Sequence, residues 1–201
     1  MATRGFTGRG RHVGSAGRLP PGQFVTEQFP VLSAGPTPNI ALDTWRLTIE
    51  RKGETVKAWS WEEFNRLPMR AVTRDIHCVT RWSKFDTQWS GVSFDDLLAD
   101  AKLEPPTAHV MAHSFEGYST NLRVADLVEG RAMVAVSYAG RPISPEHGGP
   151  ARLLVPHLYF WKSAKWLKTI EFIDSDRPGF WEERGYHNDG DPWREQRYSS
   201  D

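Results

Sequence analysis

The 201-residue sequence predicts an α+β domain whose sheets are mixed and mainly antiparallel. Two observations carry this. Strand-like stretches outnumber helical ones, and they follow one another as hairpins instead of alternating with helices. No internal repeat recurs and no interior linker divides the chain, so residues 24–201 read as a single domain.

The elements follow in order. Residues 1–23 are rich in Gly and Arg, and they lack both the apolar stretch of a secretory signal and the paired arginines of a twin-arginine one. They read as a flexible basic tail. Trp45, Leu47 and Ile49 alternate with Thr44, Arg46, Thr48 and Glu50, the period of a half-buried strand. Lys52-Gly53 turns the chain back for a hairpin partner over 54–58. Ser60 and Glu63 have capping-box spacing and open a short helix that Pro68 stops. Residues 71–80 read as a strand carrying Cys78 near its end. Ser93 and Asp96 open a second helix with a stripe of Phe94, Leu97, Leu98 and Ala101, closed by Pro105-Pro106. Strands over 108–114 and 117–122, a helical turn over 124–129 and an apolar strand over 132–138 come next. A turn at 139–142 and strands over 152–156 and 167–174 complete the series.

Composition excludes several functions. The 25 basic and 25 acidic residues cancel, so no overall field draws the chain to nucleic acid or an anionic membrane. No run of about 18 apolar residues exists to span a bilayer. One cysteine cannot form an intramolecular disulfide, which agrees with a reducing compartment and a cytoplasmic placement.

That cysteine, Cys78, lies in Asp75-Ile76-His77-Cys78-Val79-Thr80-Arg81-Trp82-Ser83. Alone it can be a buried small hydrophobe, a nucleophile, or one soft ligand to a metal that brings most of its own donors. A second informative stretch is His147-Gly148-Gly149-Pro150-Ala151-Arg152, where two glycines let backbone approach a ligand. Arg152 there either binds an anion bidentately or caps carbonyls of an ordinary hairpin. Lys162 and Lys165 stand among aromatics and, with Arg152, would make a local basic pocket. Such a pocket suits a flat, anionic, partly apolar ligand such as a phosphorylated heterocycle; lysines snorkelling over tryptophans are the alternative. The seven histidines show no chelating spacing, and no dinucleotide, phosphate-loop or serine-hydrolase signature occurs.

Taken in order, Ile76-His77-Cys78-Val79-Thr80-Arg81-Trp82-Ser83, the loop from His147 to Pro156, and Lys162-Ser163-Ala164-Lys165-Trp166 resemble the molybdopterin-binding domain of the sulfite oxidase superfamily. The similarity extends from about Phe29 to Gly185-Tyr186-His187-Asn188 and is strongest to small oxidoreductases related to the methionine-sulfoxide reductase catalytic subunit. It implies a molybdenum held by one molybdopterin dithiolene and by the thiolate of Cys78. It implies that His147, Arg152, Ser163, Ala164 and Lys165 bind the pterin, with His113 as a further contact. Arg81, with Trp82 beside it, would face the substrate and attract an oxyanion or a sulfoxide oxygen.

The expected activity is two-electron oxygen-atom transfer on an S-oxide, N-oxide or sulfite-like oxyanion, with a separate electron-transfer partner. A non-catalytic molybdopterin carrier is a second reading. A cysteine-nucleophile enzyme with His77 as base is a third, weakened because strand neighbours point to opposite faces.

Overall fold

A computed structural model describes residues 17–201. Most of the tail read from the sequence, residues 1–16, therefore lies outside the described residues. Arg18 grips the Asp75 carboxylate through Nε at 2.8 Å and Nη2 at 2.6 Å, which ties the end of that segment to the body.

In chain order the first strands are β1 (Phe24–Val25), β2 (Arg46–Arg51), β3 (Glu54–Ser60), β4 (Met69–His77) and β5 (Trp82–Ser93). They are followed by β6 (His109–Ser114), β7 (Ser119–Arg123), β8 (Met133–Tyr138), β9 (Arg141–Pro142), β10 (Arg152–Leu154) and β11 (Leu167–Ile173). Two short helices, α1 (Trp61–Asn65) and α2 (Phe94–Ala101), interrupt them. The strands form two sheets. In one, β5 is central, antiparallel to β4 and β8 and parallel to β1, while β8 also pairs with β9 and β10. The other runs β3-β2-β11-β6-β7, with β2 and β11 parallel and the remaining pairs antiparallel. The fold is α+β with mixed, mainly antiparallel sheets, as the hairpin spacing predicts.

Both capping predictions hold at atomic level. Ser60 Oγ accepts from Glu63 N at 3.2 Å and Glu63 Oε2 accepts from Ser60 N at 2.7 Å. Ser93 Oγ accepts from Asp96 N at 3.1 Å, and α2 ends at Lys102, left-handed at φ 52°, ahead of the prolines expected to stop it. The alternating Trp45, Leu47 and Ile49 are fully buried, in one core cluster with Phe64 of α1 and Phe94 and Leu97 of α2. A smaller cluster gathers Ile76, Cys78, Trp82, Trp89, Met133 and Phe160.

Two features were not predicted. The longest strand, β5, covers residues 82–90, to which the sequence reading assigns no element. Its pattern is irregular because adjacent Trp82 and Ser83 are both buried, Asp86 turns left-handed at φ 54°, and the register with β4 shifts between Arg74 and Ile76. The strand expected over 71–80 ends at His77. Cys78 instead opens a turn: Arg81 N donates to Cys78 O at 3.0 Å, and Arg81 is left-handed at φ 78°. Among the described residues no helix is long and apolar enough to cross a membrane.

Candidate active site

The turn that follows β4 presents Cys78 at the wall of a cavity of about 380 Å³, a size ordinary for an organic ligand. Its Sγ lies 3.1 Å from Thr80 Oγ1. Burial pushes the Cys78 thiol up, while the Thr80 hydrogen bond and the Arg197 charge pull the other way. A thiol held neutral by burial is a poor free nucleophile, yet it remains a good ligand, because coordination removes the proton outright. His77 offers no base for it. Its Nδ1 bonds Ser83 Oγ at 2.8 Å, and burial lowers the imidazole to about 4 despite Asp75.

Arg152 lines the same cavity and is almost completely buried. Its Nη1 donates to His147 O at 2.6 Å and its Nη2 to Ser163 O at 2.7 Å, so it does cap carbonyls. Among the described residues it has no ion pair, and its carbon Cζ sits 4.2 Å from the Phe160 ring centroid. Burial lowers the guanidinium to about 9, which leaves it a cation at neutral pH. Lys165, also on the cavity, donates to Leu32 O at 2.7 Å and Glu146 O at 2.6 Å. Burial first, then the Arg152 charge, lower it to about 8. Two like charges thus share one cavity and, among the described residues, neither is in an ion pair; the Glu146 carboxylate offsets the Lys165 charge only in part. Buried charge is stable only when compensated, so this arrangement asks for an anion.

His147 closes the rim. Its Nε2 lies 3.0 Å from Phe29 O and its Nδ1 2.9 Å from Ser144 Oγ. A carbonyl only accepts, so Nε2 carries the hydrogen and, in the neutral ring, Nδ1 accepts from the hydroxyl. The two glycines that follow are set by close approach. A Cβ on Gly148 would stand 2.9 Å from Lys165 Cβ, and one on Gly149 only 2.0 Å from Ile143 O. Ser163 lines the cavity, although its Oγ accepts from Val155 N at 2.9 Å. Ala164 is buried behind it, its carbonyl accepting from Leu153 N at 2.9 Å.

Three predicted positions lie elsewhere. His113 is not on the cavity: its Nε2 reaches Glu171 at 2.9 Å, and the adjacent Ser114 lines the wall instead, because neighbours on β6 face opposite ways. Arg81 is exposed on the turn and outside the cavity lining, since its left-handed backbone sits where the chain reverses into β5. Lys162 does not join the basic pocket. It is buried against Glu182 at 2.6 Å and bonds Asn121 O and Oδ1, both at 2.9 Å.

Sequence reasoning missed the aromatic wall. Trp181 and Tyr186 stack with centroids 4.9 Å apart, Trp161 meets Tyr186 edge-on at 5.1 Å, and Tyr118 donates to Trp161 O at 2.6 Å. All four line the cavity. The available signal was the run of four tryptophans at 161, 166, 181 and 193, out of nine in the 201 residues.

These residues fit a molybdopterin. Arg152 and Lys165, neither of them ion-paired among the described residues, match a phosphate, the aromatic surface matches a flat heterocycle, and the single thiol supplies the one sulfur the organic ligand does not bring. Fold and site together define a cofactor-dependent oxidoreductase. The chain belongs to the family described as the oxidoreductase molybdopterin binding domain, which matches residues 34–181. It is a molybdopterin-dependent oxidoreductase of the sulfite-oxidase-like kind, with molybdenum-molybdopterin as its cofactor.

Among its relatives, an uncharacterized oxidoreductase of Bacillus subtilis, YuiH, is 41% identical over 98% of this chain and 100% of its own length. Human mitochondrial sulfite oxidase is 24% identical over 83% of this chain and 37% of the enzyme. The catalytic subunit of a protein-methionine-sulfoxide reductase from Burkholderia mallei is 24% identical over 74% of this chain and 51% of that subunit. The chain therefore spans all of the first relative but only about a third to a half of the others. The crystal structure of the sulfane dehydrogenase SoxCD of Paracoccus pantotrophus shares the fold at a TM-score of 0.60, with 19% identity over 69% of this chain and 40% of that one.

Proposed function

We propose that the protein catalyses two-electron oxygen-atom transfer, acting as a reductase of S-oxides or N-oxides rather than as an oxidase of sulfite-like oxyanions. The observation that supports this reading above others is the shared cavity of Cys78, Arg152 and Lys165. When bound there, molybdenum supplies the two-electron change while the cofactor's pterin fixes its position.

The chain's own residues have separate tasks. Cys78 would be the protein's ligand to the metal. Arg152 and Lys165 would hold the pterin phosphate, with Ser163, Ala164 and the Gly148-Gly149 turn supplying backbone close to it. His147 ties the residues around Phe29 over the rim and so limits water entry. On the aromatic side, Trp161, Trp181 and Tyr186 offer a neutral, water-excluding face. Such a face suits an uncharged oxide, whereas a small hydrated dianion needs a cation of its own; Arg152 and Lys165 would be taken by the pterin phosphate, and Arg81 stands outside the cavity lining. The balanced reaction takes an S-oxide, two electrons and two protons to the sulfide and water. Its electrons come from a separate donor protein. We place the enzyme in the cytoplasm, following the single-thiol argument.

The test is metal analysis combined with a substrate screen using a reduced dye. About one molybdenum per chain and dye-dependent turnover of S- or N-oxides are expected, both lost in Cys78→Ser. Full metal content and turnover in that variant overturn the ligand role. Turnover of sulfite alone overturns the substrate assignment.

A further inference from the structure

We propose that Arg197, near the C-terminal end, is a positioning residue for Cys78, holding its turn from behind and supplying a fixed positive charge there. This rests on the molybdenum reading above, and it goes beyond it by assigning a role to a residue outside the cavity. The guanidinium is almost buried, with Nη1 donating to Val79 O at 2.7 Å and Nη2 to Pro21 O at 3.3 Å. Its Cζ lies 4.9 Å from the centroid of Tyr159. One side chain thus joins the N-terminal arm, the residue after Cys78, and the segment leading into Ser163-Ala164-Lys165.

Three further contacts show that the arrangement is built. Gln23 Nε2 donates to Cys78 O at 3.1 Å, so consecutive carbonyls of the turn are held by two residues distant in sequence. The arm passes close to these side chains at Gly22, where a Cβ would approach Arg197 Nη2 to 3.2 Å and Glu195 Oε1 to 2.6 Å, and the left-handed φ of 69° there favours glycine. The Arg197 backbone is fixed in turn, its N–H donating to Asp201 Oδ2 at 3.0 Å and its carbonyl accepting from His187 N at 3.1 Å.

Among the described residues the charge is incompletely balanced. The carboxylate paired with it, Glu195, is 3.9 Å away and half exposed. A buried cation left this way is expensive unless a nearby anion compensates it, and the cysteine thiolate of a metal centre is such an anion. A fixed positive charge beside a redox metal favours its reduced state, and two donors on one turn keep the sulfur aimed at the cavity.

The experiment compares wild type with Arg197→Lys, Arg197→Met and Gln23→Leu. In cofactor-free protein, alkylation reads Cys78 alone, since the chain has no other thiol. We expect alkylation at least fivefold faster in Arg197→Met and Arg197→Lys, because neither side chain bridges Val79 and Pro21, and about twofold faster in Gln23→Leu. In loaded protein, Arg197→Met should hold less than half the wild-type molybdenum and titrate at a more negative potential. Arg197→Lys, which keeps the charge, should keep the wild-type potential. Wild-type alkylation rates in Arg197→Lys and Gln23→Leu overturn the clamp, even if Arg197→Met fails to fold. An unchanged potential in folded Arg197→Met, or a negative shift in Arg197→Lys, overturns the charge role. Absence of molybdenum from wild type would sink the cofactor reading instead, while the alkylation comparison still judges the clamp.

Discussion

Lys162 Nζ sits 2.6 Å from Glu182 Oε1, and both side chains are almost completely buried. The same Oε1 accepts from Trp161 Nε1 at 2.9 Å and Thr120 Oγ1 at 3.0 Å. This pair therefore anchors Trp161, one panel of the aromatic wall, from the side away from the cavity. It explains why a lysine embedded among aromatics contributes nothing to the basic pocket.

Breaking that pair should be severe. Lys162→Met leaves Glu182 as an unpaired buried charge and is expected to lower stability by about 3–5 kcal/mol in urea titration. Lys162→Met combined with Glu182→Leu should recover more than half of the loss, because no lone charge remains. A double variant as unstable as the single one would show that packing, not charge, dominates there.

Arg152 should behave in the opposite way. Its cation is buried without a carboxylate, so Arg152→Met relieves a desolvation penalty while losing two carbonyl hydrogen bonds. The cofactor-free protein is expected to stay within about 1.5 kcal/mol of wild type, the size of one typical hydrogen bond. Molybdenum loading, measured by elemental analysis, should fall at least tenfold. Arg152→Lys should not rescue loading, since an ammonium cannot span His147 O and Ser163 O with a planar fork.

Lys165 sets a pH dependence. Its folded value of about 8 lies below the ordinary 10.5. Between these values the unfolded chain binds more protons than the folded one, so this group makes the cofactor-free protein more stable as pH rises through the window. Binding of inorganic phosphate, used as a probe, requires the ammonium and should weaken above pH 8. Lys165→Met should flatten both profiles. A stability that falls between pH 8 and 10 through a Lys165-dependent contribution would contradict the burial argument.

Gly149 tests the loop that carries His147. An added methyl would meet Ile143 O at 2.0 Å, an impossible contact with backbone. Gly149→Ala is expected to destabilise by about 4 kcal/mol or more, among the largest effects of single substitutions. Gly53→Ala, at an exposed turn with open space around it, should lose far less, through its left-handed φ of 78° alone. Thermal melts of the two variants make the comparison.

How much of this was legible beforehand depended on range along the chain. Capping at Ser60 and Ser93 is decided within four residues, and the alternation from Thr44 to Glu50 within seven, so both could be read directly. Cys78 could be singled out because no other thiol competes with it. The glycine-rich turn before Arg152 was readable for the same local reason: close approach demands glycine wherever the partner lies.

Tertiary structure alone decided the rest. Lys162 and Lys165 are three positions apart in one aromatic stretch, and only the later Glu182, brought under Lys162 by folding, separates the buried strut from the cavity cation. Ser114 replaces His113 on the wall because a shift of one strand position reverses the face. Arg197 reaches the turn at Cys78 from 118 positions along the sequence, a contact no local pattern encodes. The sequence by itself determined which residue types this protein has for chemistry and which segments are strand or turn, since those follow from short-range sterics and periodicity. Which charges lie unpaired against a cavity follows from burial, and burial is set only when distant segments pack.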